Sequence, residues 1–403
     1  MTTNPTYPQF TPPKIDFVFL RDQIPLNAEE IGMAREIALV IQHVLEIREE
    51  YVRQHCLDPE VYMPQANWTT ESGVHAASAA LLAGNTALLN GLRLVSQCFT
   101  GFRLLDMSTA AGKDVLTEVP HGVDEGLVEI AKNPDVWVSR YIAMAAKMPS
   151  PWHISPPARF GEVGWRIYGK LINHDTAVYF ERMALIREAM RPDPSGCLRL
   201  PEDRPPRILE IGGGYGGLAH HLKTLLPDAY YYIVDLPESL SFSAIYLSIL
   251  WQHQVNTLLE PKDEGSALVR KAPGFTFVPN YLFPALAASG EKFDLVINSL
   301  SMSEMNAKQV REYAAAIADM LEPTGGFFEQ NQDNRAFGYL NASEEIAEYF
   351  PSPRSLTGHF VPCGLTEGVA HLWTRNEEAR SSKTQKPISA LRPTEGKYSV
   401  NPD

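Results

Sequence analysis

Apolar positions follow different periods in the two halves of the chain. Between positions 27 and 190 they recur mainly at three- and four-residue spacing, which places them on one face of a helix. From position 207 onward, short apolar runs alternate with longer amphipathic stretches, at the lengths of strands and helices in an α/β protein. The pattern predicts an all-helical N-terminal domain followed by a doubly wound, mainly parallel sheet.

The helical half has recognisable starts and one unusually apolar stretch. Asn27 and Glu30 form a capping-box pattern at the start of the first helix. A second helix, at about 74–98, is apolar over much of its circumference, which indicates full burial, within this chain or against a second copy in a homodimer. Further helices are predicted at 124–132, 135–147 and 179–190. No strand is predicted in this half.

Length and composition divide the chain into four parts. A chain of 403 residues is longer than one hydrophobic core usually serves, so two folded regions are expected. Residues 1–26 form a Pro-rich, irregular arm, and 27–190 form the helical domain. Residues 200–376 form the sheet domain. Residues 377–403 contain few apolar positions and are predicted to be a flexible tail.

A glycine-rich turn at 207–217 carries the strongest chemical signal. A short apolar strand contains Glu210 near its end, and Gly212, Gly214 and Gly216 follow it. Glycines at these points let the backbone pass close to a ligand before a helix begins. An acidic residue before G-x-G-x-G is the spacing used by methyltransferases that bind S-adenosylmethionine (SAM). Gly217 also completes the G-x-G-x-x-G of dinucleotide enzymes, so the turn alone fits both cofactors.

The strands that follow favour SAM. The second predicted strand ends at Asp235, whose carboxylate can accept hydrogen bonds from both ribose hydroxyls. The third ends at Asn280, whose carbonyl can accept from the adenine amino group. The fourth, at 292–299, and the turn and strand at 322–329 have the order typical of methyltransferases rather than dehydrogenases. A closing antiparallel pair is expected at 359–363 and 368–375.

Three segments resemble a known family. Residues 210–219, 234–239 and 298–305 are similar to the sugar O-methyltransferases of bacterial natural-product clusters, and 161–176 resembles the family's lead-in to its SAM domain. The resemblance covers roughly residues 155 to 375. It implies a seven-stranded, Rossmann-like methyltransferase sheet, SAM as cofactor and a small-molecule acceptor, namely a sugar hydroxyl of a glycosylated natural product.

The predicted cofactor site follows from the position of ligands in open α/β sheets, beyond the carboxyl ends of the strands. Its candidate residues are those at or just after the strand ends. They are Glu210, Gly212, Gly214, Tyr215, Gly216, Asp235, Leu236, Asn280, Tyr281, Asn298 and Ser299.

The catalytic candidates are groups that could take the acceptor's proton. Methyl transfer from a sulfonium needs an aligned acceptor oxygen and, for an alcohol, a base. Glu304 is the first candidate because it follows the fourth strand, His174 is the second and His359 the third. Asp175 is not expected to orient His174, since adjacent residues on one helix point apart. No paired carboxylate follows the fourth strand, so no metal site is predicted.

Composition excludes one class of partner, and the sequence leaves several acceptors and functions open. A net charge of −13 argues against nucleic acid as a partner. Four scattered cysteines, with no signal peptide and no apolar run near twenty residues, are typical of a cytoplasmic protein without a membrane anchor. The acceptor could instead be a phenol, carboxylate or amine. An NAD(P)-dependent oxidoreductase and a non-catalytic SAM-fold partner protein remain the other possibilities.

Overall fold

The structure is a computed structural model. It describes residues 14–18, 22–65, 68, 73–96, 100, 136–263, 268, 270–350 and 353–375. The helix predicted at 124–132, the first half of the predicted arm and the tail at 377–403 lie outside the described residues.

Seven helices precede the large sheet in the described part of the chain. They are α1 (Ala28–Gln54), α2 (Pro59–Tyr62), α3 (Gly73–Leu82), α4 (Thr86–Asn90), α5 (Leu92–Val95), α6 (Val136–Ala145) and α7 (His174–Ala189). The predicted capping box at the start of α1 is present, with Asn27 and Glu30 exchanging side chain to backbone hydrogen bonds. The single helix expected at 74–98 is instead divided into α3, α4 and α5. Gly84, with φ of +71°, ends α3, and the Asn85 side chain caps α4.

The N-terminal half also contains a small antiparallel sheet, so the prediction of a region without strands was wrong. Its strands are β1 (Asp16–Val18), β2 (Gly164–Ile167) and β3 (Lys170–Ile172), in the order β1-β2-β3. Strands of three or four residues are too short for an alternating pattern to distinguish them from loops. The sheet places β3 directly before α7, and α7 reaches the candidate site.

The large sheet confirms the predicted doubly wound α/β class. Its strands are β4 (Arg207–Ile211), β5 (Tyr230–Asp235), β6 (Thr257–Leu258), β7 (Gly274–Pro279), β8 (Phe293–Ser299), β9 (Leu321–Gln330), β10 (Arg354–Leu356) and β11 (Ala370–Thr374). They are arranged β10-β11-β9-β8-β4-β5-β7-β6, and β11 runs antiparallel to both neighbours. The sheet has eight strands rather than seven because the two-residue β6 pairs with the edge of β7. The strand expected at 359–363 was misplaced; β10 lies a few residues earlier.

Helices α8 (Gly217–Leu225), α9 (Pro237–Leu250), α10 (Phe283–Ala288), α11 (Ala307–Met320) and α12 (Ala342–Ile346) connect the strands. Helix α9 is buried from Pro237 to Ile249, because α1 and α3 cover it on the side away from the sheet. The apolar face of α3 is therefore covered within this chain. Among the described residues, no helix combines the length and apolar composition required to span a bilayer.

Candidate functional site

A cavity of about 320 Å³ lies at the carboxyl edge of the large sheet. This is the edge where open α/β sheets bind ligands, and the strands β4, β5 and β8 end there. The N-terminal half closes the other side with residues from the segment before α3 and from α7. The residues that line the cavity include Gln65, Trp68, His174, Asp175, Arg182, Glu210, Gly212, Gly214, Tyr215, Asp235, Leu236, Asn280, Ser299 and Glu304.

The glycine turn requires glycine for two separate reasons. Gly212, Gly214 and Gly216 have φ angles of 75°, 56° and 90°, a region that side chains disfavour. In addition, a Cβ atom at Gly212 would overlap the side chain of Ser301. The turn therefore lies against the segment after β8, and its backbone forms one wall of the cavity.

Asp235 is a half-buried acceptor at the end of β5. Its Oδ2 accepts a hydrogen bond from the Gly214 backbone N–H at 3.0 Å, and its Oδ1 accepts from the Leu236 N–H at 2.8 Å. Burial raises the pKa of Asp235 to about 7, although the backbone hydrogen bonds oppose that shift. The predicted ribose-binding carboxylate is thus held beside the glycine turn and faces the cavity.

Glu210 lies next to Asp235 on the neighbouring strand and has a similar environment. It is 4% exposed, and its Oε2 accepts a hydrogen bond from the Tyr231 hydroxyl at 2.8 Å. Burial raises the pKa of Glu210 to about 7; the Tyr231 hydrogen bond and the charge of Arg182 lower it, and the charge of Asp235 raises it further. The two carboxyls make this wall strongly attractive to a cation once they are ionised.

Several residues that line the cavity, among them Asn280 and Arg182, have a buried polar atom without a hydrogen-bond partner among the described residues. Asn280 donates from Nδ2 to the Tyr62 carbonyl at 2.9 Å, which leaves its Oδ1 buried without a donor. Arg182 is 6% exposed and donates from Nε to Gln330 Oε1 at 3.3 Å, while its Nη2 has no acceptor. Buried polar groups normally have partners, and both residues line the cavity, so both are candidates for contacts with a polar ligand.

Sequence reasoning missed Arg182, although a signal was available. Helix α7 is buried along most of its length, and a charged residue in such a helix needs a partner. Trp68 was also missed, because its role depends on a contact with a residue 236 positions away.

Three predicted cofactor residues do not line the cavity. Tyr281 is fully buried and donates its hydroxyl hydrogen bond to the Val44 carbonyl in α1, at 2.9 Å. Gly216 lies behind the turn and caps α8. Asn298 donates from Nδ2 to the Ile211 carbonyl at 2.9 Å and to Ser301, so it joins the ends of β4 and β8 beneath the site. By contrast, Leu236 and Ser299, which were also predicted to contact the cofactor, line the cavity.

Glu304 lines the cavity from a short 3₁₀ turn after β8 (Ser301–Glu304). It is half-buried, and its Oε2 accepts a hydrogen bond from the Trp68 indole N–H at 2.8 Å. Burial raises the pKa of Glu304, and the indole hydrogen bond lowers it. One carboxylate oxygen is therefore already engaged by Trp68.

His174 lies across the cavity from the sheet, at the first position of α7. Asn173 caps the helix through a capping box with Thr176. Contrary to the sequence expectation, Asp175 does contact the neighbouring imidazole, with 3.1 Å between His174 Nδ1 and Asp175 Oδ1. At the first turn of a helix the backbone is not yet surrounded by neighbouring side chains, so adjacent residues can meet there.

His359 lies outside the cavity. It is exposed, it follows β10 rather than preceding a strand, and its backbone N–H donates to Glu188 Oε2 at 2.7 Å. Within the described ranges, no three His, Cys, Asp or Glu side chains are grouped so as to hold a metal ion. Asp294, inside β8, is instead paired with Arg204 at 2.7 Å.

Comparisons with known proteins found solved structures that have low similarity to this chain. No protein-family model and no curated protein match the sequence. An O-methyltransferase family protein from Burkholderia thailandensis is similar at 11% identity and a TM-score of 0.33, over 50% of this chain and 58% of that one.

Two further solved structures have comparable scores. A SAM-bound amino pentose methyltransferase from Micromonospora echinaspora, involved in calicheamicin biosynthesis, matches at 15% identity and a TM-score of 0.32, over 49% of this chain and 90% of that one. Human methyltransferase-like protein 13, in complex with SAH, matches at 14% identity and a TM-score of 0.32, over 51% of this chain and 84% of that one. Similarities at this level identify neither the acceptor nor the reaction of this protein.

Proposed function

We propose that this chain is a SAM-dependent O-methyltransferase that methylates a hydroxyl of a small molecule, with a sugar hydroxyl as the preferred acceptor. The observation that supports this most directly is the set of groups around one cavity. The carboxyls of the buried Glu210 and the half-buried Asp235 lie near the ends of neighbouring strands beside the glycine turn, and the same cavity is lined by Asn280 and Arg182, each of which has a buried polar atom without a partner among the described residues.

These groups fit the parts of SAM one by one. Asp235 would accept from the ribose hydroxyls, and Asn280 Oδ1 would accept from the adenine amino group. Arg182 Nη2 would donate to the carboxylate of the amino-acid end, and Glu210 would attract its ammonium group. Each assignment places a complementary group of SAM against a residue that lines the cavity.

The charge of the wall favours SAM over a dinucleotide. Five Asp or Glu residues line the cavity, and Arg182 is the one Lys or Arg among the described lining residues. SAM carries a sulfonium and an ammonium, whereas NAD(P) carries a pyrophosphate that these carboxylates would repel. The oxidoreductase alternative therefore has only the glycine spacing in its favour.

Bound SAM supplies an electrophilic methyl group, and the protein has to orient the acceptor oxygen and remove its proton. The sequence order of candidates places Glu304 before His174. The contacts reverse that order, because Glu304 Oε2 is already engaged by the Trp68 N–H, whereas the Asp175 carboxylate contacts His174 at Nδ1 and leaves Nε2 as the nitrogen that can take the proton. We therefore assign proton removal to His174 and acceptor binding to Glu304 and Trp68.

The acceptor end of the cavity is suited to a polyhydroxylated ligand. Gln65 and Glu304 line that end with polar side chains, and Trp68 offers an aromatic surface. Phenols, carboxylic acids and amines are the alternative acceptors. Transfer of radiolabelled methyl groups to glycosides, phenols, acids and amines presented in parallel would rank these classes, and labelling of amines alone would exclude O-methylation.

Calorimetric titration with SAM, S-adenosylhomocysteine and NAD tests the cofactor. SAM and S-adenosylhomocysteine are expected to bind and NAD is not. Binding of NAD without SAM would overturn the proposal. Homodimerisation through the N-terminal helices stays a prediction, and the covering of α3 by α9 removes the composition argument for it.

A further inference from the structure

We propose that Asp175, held by Arg93, is a positioning residue that keeps the proton of His174 on Nδ1 and leaves Nε2 free to take a proton from the acceptor. This inference rests on the proposed methyltransferase function. It adds two residues, Asp175 and Arg93, to the machinery of the site.

The contacts form a continuous buried chain from α5 to the cavity. Arg93 donates from Nη2 to Asp175 Oδ2 at 2.9 Å, and Asp175 Oδ1 lies 3.1 Å from His174 Nδ1. Arg93 also donates from Nε to Glu162 Oε2 at 2.7 Å. Arg93 and Asp175 are 1% and 3% exposed, so water does not compete for these bonds.

The charge state of Asp175 determines the imidazole tautomer. Burial alone would raise the pKa of Asp175, but the hydrogen bond from His174 and the charge of Arg93 outweigh it, so the pKa lies below its ordinary value. An ionised carboxylate can only accept hydrogen bonds. The contact with Asp175 therefore requires the hydrogen on Nδ1, and Nε2 is left with a lone pair.

Surrounding groups also fix the orientation of the ring. The Trp137 ring meets the His174 ring edge-on, with 4.2 Å between centroids. Asn173, which caps α7, donates from Nδ2 to Glu162 Oε1 at 2.6 Å. The helix start that carries His174 is thus fastened to the same ion network as Asp175, which limits movement of the ring.

Arg93 further connects the base to the cofactor turn. Its guanidinium lies 3.8 Å from the centre of the Tyr215 ring, and Tyr215 belongs to the glycine turn. A single buried arginine therefore contacts the partner of the proposed base and the wall of the proposed SAM pocket. This arrangement holds His174 at a constant distance from the turn.

The ring tautomer can be measured without a known acceptor. Protein labelled with ¹⁵N at histidine is examined by long-range ¹H–¹⁵N correlation at about pH 9, well above the ordinary pKa of imidazole. The His174 signals are identified by their loss in His174→Gln. Wild-type protein is expected to show the Nδ1–H form.

Asp175→Asn should reverse the tautomer. The amide oxygen of asparagine will face the charged Arg93, so its NH₂ group will face His174 and donate to Nδ1. The proton then moves to Nε2, where it blocks proton acceptance. Asp175→Glu, which restores a carboxylate, should recover the Nδ1–H form at least in part.

Two results would overturn the inference: an Nε2–H tautomer in the wild-type protein, or an unchanged tautomer in Asp175→Asn. The wild-type result decides the question even if Asp175→Asn fails to fold. SAM titration of the same samples separates this inference from the proposed function. Failure of the inference leaves SAM binding intact, whereas failure of the proposed function abolishes SAM binding in wild-type protein too.

Discussion

The two sides of the cavity are built in different ways. The cofactor side uses the ends of β4 and β5, so Glu210, Gly214 and Asp235 come from one short stretch of chain and are held largely by backbone groups. The acceptor side depends on side-chain pairs between distant segments. Trp68 meets Glu304 across 236 positions, and Arg93 meets Asp175 across 82. The first side is formed by residues that are close in the sequence, whereas the second depends on contacts between segments that are far apart in the sequence.

The difference implies that the two sides of the cavity have separate roles, which mutations can test. Changes on the cofactor side should alter SAM affinity with little effect on the chemical step. Changes on the acceptor side should alter the rate or the acceptor KM with SAM affinity nearly intact. A variant on one side that changes both SAM affinity and the reaction rate would show that the two sides act as one unit.

The largest effect is expected for the base. His174→Gln should lower the single-turnover rate on an accepted hydroxyl by about two to four orders of magnitude, because glutamine cannot take a proton at neutral pH. Glu304→Gln is the matched variant, since it keeps the shape of the side chain and can still accept from Trp68. Its rate is expected to fall by about tenfold or less. If Glu304→Gln is the slower of the two, Glu304 is the base.

The pH dependence of SAM affinity sharpens the description of the cofactor side. The pKa of both Glu210 and Asp235 is raised to about 7, so these carboxyls gain protons as the pH falls through neutrality. The cationic cofactor favours their ionised forms. Affinity should therefore be full above pH 7 and should fall below it, by about tenfold for each carboxyl between pH 8 and pH 6. Calorimetry across that range measures the slope; a flat profile would contradict the assignment.

Much of the cavity wall that we assign to the cofactor could be predicted from the sequence, because most of its signals are local. The glycine turn, the strand that ends at Asp235 and the strand that ends just before Asn280 can be recognised within windows of a few residues. The doubly wound sheet follows from the same windows, since strand and helix lengths alternate along the chain. The two-residue β6 and the three-residue β10 were missed or misplaced, because segments that short carry no period.

On the acceptor side the sequence indicated Glu304 and His174, but not Trp68 and Arg93, whose contacts join distant segments. On the cofactor side Arg182 was missed as well, because only the fold shows that this residue of a buried helix lines the cavity. The helical pattern of α7 argued against a contact between His174 and Asp175. The contact exists because both residues lie in the first turn, and because Arg93, from a helix far upstream, holds the carboxylate in place.

Asp235→Asn tests the ribose assignment and should weaken SAM by about tenfold or more, since it converts charge-assisted hydrogen bonds into neutral ones. Asparagine keeps the volume of the site, but its NH₂ group cannot accept from the Gly214 or Leu236 N–H, so the loss of affinity includes the loss of one of these two hydrogen bonds. Asp333→Asn is a suitable control, because Asp333 is exposed and pairs with Arg335 away from the cavity. Equal losses in both variants would point to a general effect of charge.

The smallest effect is expected for Arg182, and a truncated ligand makes it specific. Arg182→Gln keeps a donor but removes the charge, so SAM affinity should fall by about fivefold. 5′-Methylthioadenosine has the adenine and ribose of SAM but no amino-acid end. Its affinity should therefore be unchanged in Arg182→Gln and reduced in Asp235→Asn. Measured by calorimetry, this pattern locates each residue at one end of the cofactor. Equal losses for both ligands in Arg182→Gln would mean that Arg182 supports the cavity wall through Gln330 rather than binding the carboxylate.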